Sequence, residues 1–343
     1  MQRLWYQRKP FWLLILLSPL SALFAVVVAC RRAAFRYGLL RCVRVDRPVI
    51  VVGNISVGGT GKTPLVIWLA ERLQSRGKRV GIILRGYGGQ AARWPVDVNP
   101  DTPAVEAGDE AVLLAARTGA IVVAGPDRVA AARRAIELGA DVVLSDDGLQ
   151  HYRLARDCEI AVIDAERGLG NGWLLPAGPL REPVSRLRSV ALVARNQRPS
   201  FPSECVVPAP SSGMPRRITI RARLAQAISL ASGEPRALES FRGYRVHAVA
   251  GIGNPQAFFD ALRLAGLQVN ARALPDHAVL GPDELEFGDQ APVLMTEKDA
   301  VKCRSRADLR HWAVRLALEI DAADTATLVT LLDDVLRSGR QNR

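Results

Sequence analysis

The residues with the clearest capacity for chemistry form a glycine-rich loop that ends in a lysine and a threonine. The segment GNISVGGTGKT occupies residues 53–63 and ends in Gly61, Lys62 and Thr63. Glycines let backbone N–H groups surround an anion, the lysine neutralises the β and γ phosphates of a nucleotide, and the threonine hydroxyl binds Mg²⁺. The spacing therefore predicts a site for ATP and Mg²⁺.

The loop departs from the usual phosphate-binding pattern at one position. In G-x-x-x-x-G-K-[ST] the first residue is glycine, whereas Ser56 occupies that place here. Gly53 and Gly58 flank it, and the end that contacts phosphate is intact. The alternative is a glycine-rich turn that binds no ligand. The predicted nucleotide-binding residues are Ser56, Val57, Gly58, Gly59, Thr60, Gly61, Lys62 and Thr63.

A strand and a helix must hold this loop. Residues 49–52 are a β-branched apolar run typical of a strand buried on both faces of a parallel sheet, and residues 64–76 carry the apolar stripe of a helix. The pattern repeats along the chain. Further strands are predicted at 80–84, 121–124, 142–144, 160–164, 216–230, 246–250 and 292–295, and further helices at 108–118, 127–138, 255–265 and 324–337. This alternation predicts an α/β fold.

Acidic residues follow two of the predicted strands. Asp146 and Asp147 come just after strand 142–144, and an apolar strand that ends in Asp is the usual partner of a phosphate loop, where it holds Mg²⁺ or its water shell. Strand 160–164 also ends in an aspartate, Asp164. The pattern alone does not decide which of these three carboxylates contacts the metal.

Two other segments place polar residues near strand ends. Arg85 begins the turn RGYGG at the carboxyl end of strand 80–84, where ligands bind in open α/β sheets. It is either a contact for phosphate or substrate, or a solvated arginine in a turn. Asp109 is predicted as the N-cap of helix 108–118, with Glu110 in the first turn. Capping and the helix dipole alone would explain both acids.

Composition limits the classes of protein to which the chain can belong. The chain has 343 residues, 49% of them hydrophobic, and a net charge of +12, which suggests a polyanionic partner such as nucleic acid, an acidic membrane or a phosphorylated substrate. Because no RNA-binding signature interleaves aromatic and basic residues, we expect no nucleic-acid partner. The cysteines at 30, 42, 158, 205 and 303 show neither a C-x-x-C pair nor a metal-site spacing. They indicate buried apolar side chains in a reducing compartment.

An uncharged apolar stretch fills residues 11–29, with basic residues on both sides. Its length permits a membrane span, but Pro19 and the two basic flanks fit better with a broken helix that lies in the membrane interface. Residues 27–30 also resemble the cleavage site of an exported lipoprotein. Because phosphoryl transfer needs cytosolic nucleotide, we favour the interfacial anchor over a span, and a span over export.

Taken in order, these motifs resemble the tetraacyldisaccharide 4'-kinases of lipid A synthesis. The matching segments are GNISVGGTGKTP at 53–64, RGYGG at 85–89, GDE at 108–110, DDGLQH at 146–151, PAGPLREP at 176–183, GIGNP at 251–255, PDH at 275–277 and TEKDAVK at 296–302. Each segment alone is a weak signal, but the ordered set is specific and runs nearly end to end.

The resemblance implies an α/β fold of two Rossmann-like P-loop domains joined by a hinge, with the nucleotide between them and an apolar N-terminal helix associated with the membrane. A change to Pro-rich and Ser-rich composition at 199–215 marks the end of the first domain. We expect a membrane-associated segment at 1–44, a nucleotide-binding domain at 45–200, linker strands at 201–235 and a smaller α/β domain at 236–343.

The resemblance also implies the reaction. The γ-phosphoryl group of ATP would move to the 4'-hydroxyl of a tetraacyldisaccharide 1-phosphate at the cytoplasmic face of the bacterial inner membrane. Asp109 would accept the hydroxyl proton, with His277 orienting it or relaying the proton, and Lys62 would stabilise charge in the transition state. Thr63 and the pair at 146 and 147 would hold Mg²⁺.

Five further residues would line or support this site by resemblance. They are Arg85, Tyr87, Glu110, His151 and Glu182. The excess of basic residues fits an acidic glycolipid substrate. Two other classes of protein compete with this interpretation. A P-loop NTPase that drives a partner would hydrolyse nucleotide without lipid, and an exported lipoprotein would be modified at Cys30.

Overall fold

The computed structural model describes residues 5–6, 11–197, 215–276, 278, 280–303 and 308–341. Within these residues, 13 strands join in a single mixed sheet with helices on its two faces. The predicted α/β class is confirmed.

The amino-terminal half contains the phosphate loop and seven strands. Its strands are β1 (Val49–Gly53), β2 (Val80–Leu84), β3 (Val96–Val98), β4 (Ile121–Ala124), β5 (Val142–Asp146), β6 (Cys158–Asp164) and β7 (Leu192–Asn196). Its helices are α1 (Phe11–Arg36), α2 (Lys62–Gln74), α3 (Ala104–Ala107), α4 (Asp109–Thr118) and α5 (Arg128–Glu137), with a 3₁₀ turn at Val184–Ser189.

The carboxyl-terminal half continues the same sheet. Its strands are β8 (Arg216–Ser229), β9 (Pro235–Ala237), β10 (Arg245–Ala250), β11 (Gln268–Ala273), β12 (Val293–Thr296) and β13 (His311–Ile320). Its helices are α6 (Pro255–Leu264), α7 (Pro282–Leu285), α8 (Glu297–Cys303) and α9 (Ala322–Gln341), with a 3₁₀ turn at Leu238–Phe241. The strand order across both halves is β11-β10-β12-β13-β8-β7-β6-β1-β5-β2-β4-β3, with β9 paired to β8.

Strand β1 lies at the centre of the amino-terminal half, and its residues pack into two cores. Ile50 and Val52 pack into the core under α2, while Val49 and Val51 pack into the core on the opposite face. All five residues of β1 are buried. On its two edges β1 pairs in parallel with β5 and β6. The carboxyl ends of these three strands therefore meet beside the phosphate loop.

The long strand β8 joins the two halves. It pairs in parallel with β7 from Arg216 to Ile220, and antiparallel with β13 along Ile220–Ser229. The residues predicted as loose alternating strands at 216–230 are thus one continuous strand. The junction between the halves is a hydrogen-bonded part of the sheet in the described chain.

Helix α1 is continuous through Pro19, so the predicted break is absent. A proline at 19 cannot donate the backbone hydrogen bond that the Ile15 carbonyl would otherwise accept. The Ser18 hydroxyl donates to that carbonyl instead, at 2.8 Å. The helix is long and apolar enough, by length and composition, to cross a membrane. One side of it packs on the body through Leu14, and the Ser21 hydroxyl donates to the Leu174 carbonyl at 2.9 Å.

Candidate active site

The phosphate loop leaves β1 and enters α2 through Gly61. This residue has φ 78°, a left-handed conformation that favours glycine. A Cβ atom at Gly61 would lie 2.0 Å from Asn196 Nδ2, and that amide donates a 3.0 Å hydrogen bond to the Thr60 carbonyl. The side chain at the end of β7 therefore reaches beneath the loop. The first turn of α2 follows the loop directly, and the unpaired N–H groups at such a helix start suit an anion.

Contacts from within the loop and from a neighbouring segment fix its shape. Asn54 Nδ2 donates 3.3 Å hydrogen bonds to the Gly58 carbonyl and to Thr60 Oγ1. Ser56, which replaces the usual glycine, is buried and forms an antiparallel bridge with Leu180. A side chain at position 56 is thus accommodated in a braced loop without strain.

Asp147 lies between two cations at the end of β5. Lys62 Nζ is 3.2 Å from its Oδ1, and Arg181 Nη1 donates to its Oδ2 at 3.2 Å. Asp147 has φ 50°, a conformation that a non-glycine residue adopts only at some cost. Burial alone would raise the pKa of Asp147, but Lys62 and Arg181 lower it overall. The carboxylate is therefore ionised and held beside the lysine of the phosphate loop.

Asp146 is the buried member of the acid pair. Burial raises its pKa to about 7, and the charges of Glu110 and Asp147 act in the same direction, against Lys62 and Arg128. Its Oδ1 atom is buried and has no hydrogen-bond partner within the described chain. A buried carboxylate oxygen without a partner is unfavourable unless a ligand supplies one.

Asp164, the other candidate for the metal, has its side chain bonded to backbone N–H groups. Its Oδ1 atom accepts the backbone N–H groups of Glu166 and Arg167 at 2.9 and 3.0 Å, so it caps the turn after β6. This oxygen is committed to backbone, in contrast to Asp146 Oδ1.

The site has the composition expected of a nucleotide-bound Mg²⁺ centre. In the part of the chain that the structure describes, no group of three or more His, Cys, Asp or Glu side chains could hold a metal ion by itself. Mg²⁺ at such sites binds one or two protein oxygens and takes its other ligands from phosphate and water. Asp146 Oδ1 and Thr63, in the first turn of α2, fit this requirement.

Arg128 and His151 are two further polar residues beside the acid pair. Arg128 is buried, and its guanidinium donates to the carbonyls of Gly125 and Asp146 at 2.9 and 3.2 Å. Burial lowers the pKa of Arg128 to about 10. Burial, with the charges of Arg128 and Arg85, lowers the pKa of His151 to about 4. His151 is therefore a neutral imidazole at pH 7, and Arg85 stands close enough to act on it.

Close packing of glycines brings the RGYGG turn against the start of α4. A Cβ atom at Gly89 would lie 2.5 Å from the Glu106 carbonyl oxygen, and one at Gly108 would lie 2.5 Å from the Tyr87 carbonyl oxygen. Only glycine permits this approach of two backbones. The two motifs therefore form one unit that carries Asp109.

Asp109 is buried and lies against the carboxyl-terminal half of the chain. The N-cap of α4 is Gly108, so the prediction that Asp109 is the N-cap is wrong. Asp109 is the first residue of the helix and is buried, and its Oδ1 atom accepts the N–H of Glu110 at 2.9 Å. Lys302 Nζ is 3.7 Å from Asp109 Oδ2, and Lys298 Nζ is 3.0 Å from Glu110 Oε1. Both lysines belong to α8.

The other residues predicted for the site have different outcomes. Glu182 is buried in a cluster with Tyr152, whose hydroxyl donates to it at 2.7 Å, and with Arg186, whose Nε is 3.1 Å away. It is not in contact with the acid pair in this structure. Tyr87 is 64% exposed at the rim. His277 lies outside the described residues.

Sequence reasoning missed five polar residues that the structure places here. They are Arg128, Arg181, Asn196, Lys298 and Lys302. Four of them had a usable signal. Arg181 lies within the PAGPLREP segment, and both lysines lie within TEKDAVK. Asn196 ends a short apolar strand, β7, as the site aspartates do, whereas Arg128 looks like any surface arginine in a helix.

Comparisons with known proteins agree with this geometry. The family model described as tetraacyldisaccharide-1-P 4'-kinase matches residues 13–337. A tetraacyldisaccharide 4'-kinase of Nitrosococcus oceani is 46% identical over 339 residues, covering 98% of this chain and 95% of the relative. One of Stenotrophomonas maltophilia is 48% identical over 330 residues, covering 96% and 95%.

A solved structure is similar over nearly the whole length. The crystal structure of LpxK from Aquifex aeolicus in complex with ATP superposes with a TM-score of 0.78 at 28% identity, covering 94% of this chain and 99% of that one.

Proposed function

This chain belongs to the tetraacyldisaccharide-1-P 4'-kinase family, and we propose that it transfers the γ-phosphoryl group of ATP to the 4'-hydroxyl of a tetraacyldisaccharide 1-phosphate. The product is the bisphosphorylated lipid A precursor. The contact between Lys62 and Asp147 carries the proposal, because it places a phosphate-loop lysine beside an acid pair at the carboxyl ends of adjacent parallel strands.

The phosphate loop binds the nucleotide. Backbone N–H groups of residues 56–63 surround the phosphates, with Lys62 against the β and γ groups. Asp147 and Arg181 hold Lys62 and the loop in register before ATP arrives. Such preorganised charge stabilises an anionic, loose transition state without rearrangement during the reaction.

Mg²⁺ would be held by Thr63 and by the pair Asp146 and Asp147, and it would supply charge neutralisation on the phosphates. The orphan oxygen of Asp146 supports this assignment over Asp164, whose Oδ1 atom already caps a turn. Because the pKa of Asp146 is about 7, this carboxylate becomes fully ionised above neutral pH.

Asp109 accepts the proton of the sugar hydroxyl, and His277 orients it or relays the proton. An alcohol is a weak nucleophile at neutral pH, so a positioned carboxylate accelerates the attack. The burial of Asp109 and its place at the start of α4, against the turn that carries Arg85, support this role. Arg85, His151 and the exposed Tyr87 line the entrance for the phosphorylated glycolipid.

Helix α1 holds the enzyme at the cytoplasmic face of the inner membrane, where its lipid substrate and cytosolic ATP meet. Seven large side chains between Trp12 and Val27 are at least half exposed, which leaves an apolar face for lipid. Near its carboxyl end, Arg31 lies 5.9 Å from the ring centre of Tyr152, next in the chain to His151. The helix thus runs from the membrane toward the site.

The experiment is transfer of radiolabel from [γ-³²P]ATP to a monophosphorylated tetraacyl disaccharide in detergent with Mg²⁺. Label should appear in the lipid with the wild-type protein and fall steeply in Lys62→Ala and Asp109→Asn. Release of free phosphate at the same rate with and without lipid would instead identify an NTPase.

A further inference from the structure

The start of α4 and the helix α8 form a cluster of charges between the two halves of the chain. Asp109 and Glu110 come from the first half, and Lys298, Asp299 and Lys302 come from the second. The centre of the cluster is enclosed, with side-chain exposure of 5% for Asp109, 0% for Asp299 and 10% for Lys302, whereas Glu110 at its edge is 41% exposed. Charges this enclosed are arranged and paired because an unpaired one would be costly.

Lys302 is the member with the most constrained position. Its Nζ atom is 3.0 Å from Asp299 Oδ1 and 3.7 Å from Asp109 Oδ2. Asp299 is fixed in turn, because its Oδ2 atom accepts the Gly251 N–H at 3.0 Å and the Thr296 hydroxyl at 2.6 Å. A chain of contacts therefore runs from the backbone of the second half, through Asp299 and Lys302, to the Asp109 carboxylate.

Lys298 reaches the same carboxylate from the side. Its Nζ atom is 3.0 Å from Glu110 Oε1 and 4.0 Å from Asp109 Oδ1. Burial disfavours the charged lysine, but Glu110 and Asp109 outweigh burial and raise the pKa of Lys298. Each oxygen of Asp109 thus has one ammonium group of α8 within 4.0 Å.

We propose that Lys302 is a positioning residue for phosphoryl transfer: it holds the Asp109 carboxylate from the second half of the enzyme, with Lys298 as the auxiliary contact through Glu110. This inference rests on the proposed role of Asp109 as the base. It makes the orientation of the base depend on the contact of Lys302 with the start of α4. A carboxylate that turns out of line with the attacking hydroxyl loses most of its effect on the rate.

A second ion pair on the same two helices provides the matched control. Arg117 pairs with Glu297, eight residues along α4 from Asp109, or about 12 Å at the rise of an α-helix. Its Nη2 atom also donates to the Leu316 carbonyl at 3.4 Å. Arg117→Ala therefore weakens the junction between the halves without touching the base, whereas Lys302→Ala does both.

The test measures kcat and the KM for ATP in Lys302→Ala, Lys302→Met, Lys302→Arg and Arg117→Ala, with thermal unfolding of each. We expect kcat to fall about tenfold to a hundredfold in the Ala and Met variants, with little change in the KM for ATP. Lys302→Arg should recover most of the loss, and Arg117→Ala should stay within about twofold of wild type. The Met variant keeps the apolar stem and serves if the Ala variant does not fold.

A double-variant cycle gives the decisive comparison. If Lys302 acts through Asp109, adding Lys302→Met to Asp109→Asn should lower the residual kcat no further. Additive losses, or equal losses in Lys302→Met and Arg117→Ala, would overturn the inference. A fully active Asp109→Asn enzyme would show that Asp109 is not the base. A large loss of kcat in Asp109→Asn, with Lys302→Met unaffected, would support Asp109 as the base and rule out the role of Lys302.

Discussion

Lys62 Nζ lies 3.2 Å from Asp147 Oδ1, so the cation that is to meet the nucleotide phosphates is already held by a carboxylate of the adjacent strand. Asp147 also keeps Arg181 as a second partner at 3.2 Å. Removal of the lysine therefore leaves Asp147 paired and the loop folded, while the phosphates lose their charged contact.

We predict that Lys62→Ala lowers kcat for lipid phosphorylation by about a hundredfold to a thousandfold, the effect of removing one preorganised stabilising group from a transition state. The melting temperature without nucleotide should stay close to that of wild type. Lys78→Ala, on the turn after α2, is the control and should retain activity. A Lys62→Ala enzyme with wild-type turnover would contradict the assignment of the loop.

Asp146 should make the nucleotide-free enzyme less stable as pH rises. Its pKa is raised from 3.8 to about 7 by burial. Its contribution to the free energy of unfolding is therefore fully present below about pH 4 and is lost as pH rises through about 7. We predict that Asp146→Asn, which keeps the shape without the charge, is more stable than wild type at pH 8, with the difference shrinking toward pH 5. Urea unfolding at both pH values measures this, and an equal difference at both would contradict the buried, protonated carboxylate.

His151 has the opposite dependence. Its pKa is lowered from 6.5 to about 4, chiefly by burial. As pH falls, His151 takes up a proton in the unfolded chain before it does so in the folded protein. Its contribution to the free energy of unfolding is therefore fully present above about pH 6.5 and is lost as pH falls toward 4. We predict that the His151 ring resonances in a histidine NMR titration do not move between pH 5.5 and 8, and that His151→Gln loses less stability than wild type over the acid range. A midpoint near 6.5 for His151 would show that the ring is solvated.

Gly61 should tolerate no side chain. Both its φ of 78° and the 2.0 Å approach of Asn196 Nδ2 act against alanine. We predict that Gly61→Ala loses ATP binding, measured by calorimetry, and about 1–3 kcal/mol of stability from backbone strain alone. Gly119→Ala separates the two causes, because Gly119 has φ 58° with nothing within 4 Å of the position that a Cβ atom would take. Wild-type affinity for ATP in Gly61→Ala would show that the contact with Asn196 is not what shapes the loop, and an equal loss of stability in Gly119→Ala would assign that loss to the backbone conformation alone.

The exposed side of α1 should govern membrane association. Leu16, Leu20 and Leu23 are 65%, 54% and 62% exposed, although each is a large apolar side chain. Since burial of one leucine contributes about 1.5–3 kcal/mol, changing all three to serine should release the protein from anionic vesicles in a flotation assay. Activity on a detergent-dispersed substrate should persist. Serine at Leu14, which is buried against Ala177, should instead lower the melting temperature.

The strands that were foreseen are those whose sequence carries a strong local signal. Residues 49–52, 80–84 and 121–124 are short β-branched runs with both faces buried, and each forms a strand at the predicted position. Strands β3, β9 and β11 escaped prediction because they are short or exposed, with β3 and β11 at the two ends of the sheet. Strands β7 and β13 lie inside the sheet and also escaped prediction, because Arg195, Arg315 and Glu319 interrupt their apolar runs. Their apolar pattern is correspondingly weak.

The same distinction holds for the candidate site: residues with a local sequence signal were predicted, and residues whose contacts are distant in sequence were not. The loop and the acid pair were found because glycine spacing and strand-end acids are local in sequence, whereas the role of Asp109 came only from the resemblance to the kinase family. Lys302 and Asn196 act across 193 and 136 residues of chain, on Asp109 and Thr60. Such contacts follow from the order of strands in the sheet, which the sequence pattern does not specify. Helix α1 continues through Pro19, where the Ser18 hydroxyl donates to the Ile15 carbonyl, a detail that a hydropathy pattern does not contain.

The long strand β8 has a consequence for any attempt to divide this enzyme. Its beginning is hydrogen-bonded to β7, and its remainder to β13. Cutting the polypeptide just after β8, between residues 230 and 234, would leave one fragment ending in an unsatisfied strand and the other with a bare edge at β13. Exposed strand edges of this kind pair with strands of other chains. Separately expressed pieces should self-associate into insoluble material, whereas coexpressed pieces should reassemble on each other, which makes this turn a natural place for a split-enzyme reporter.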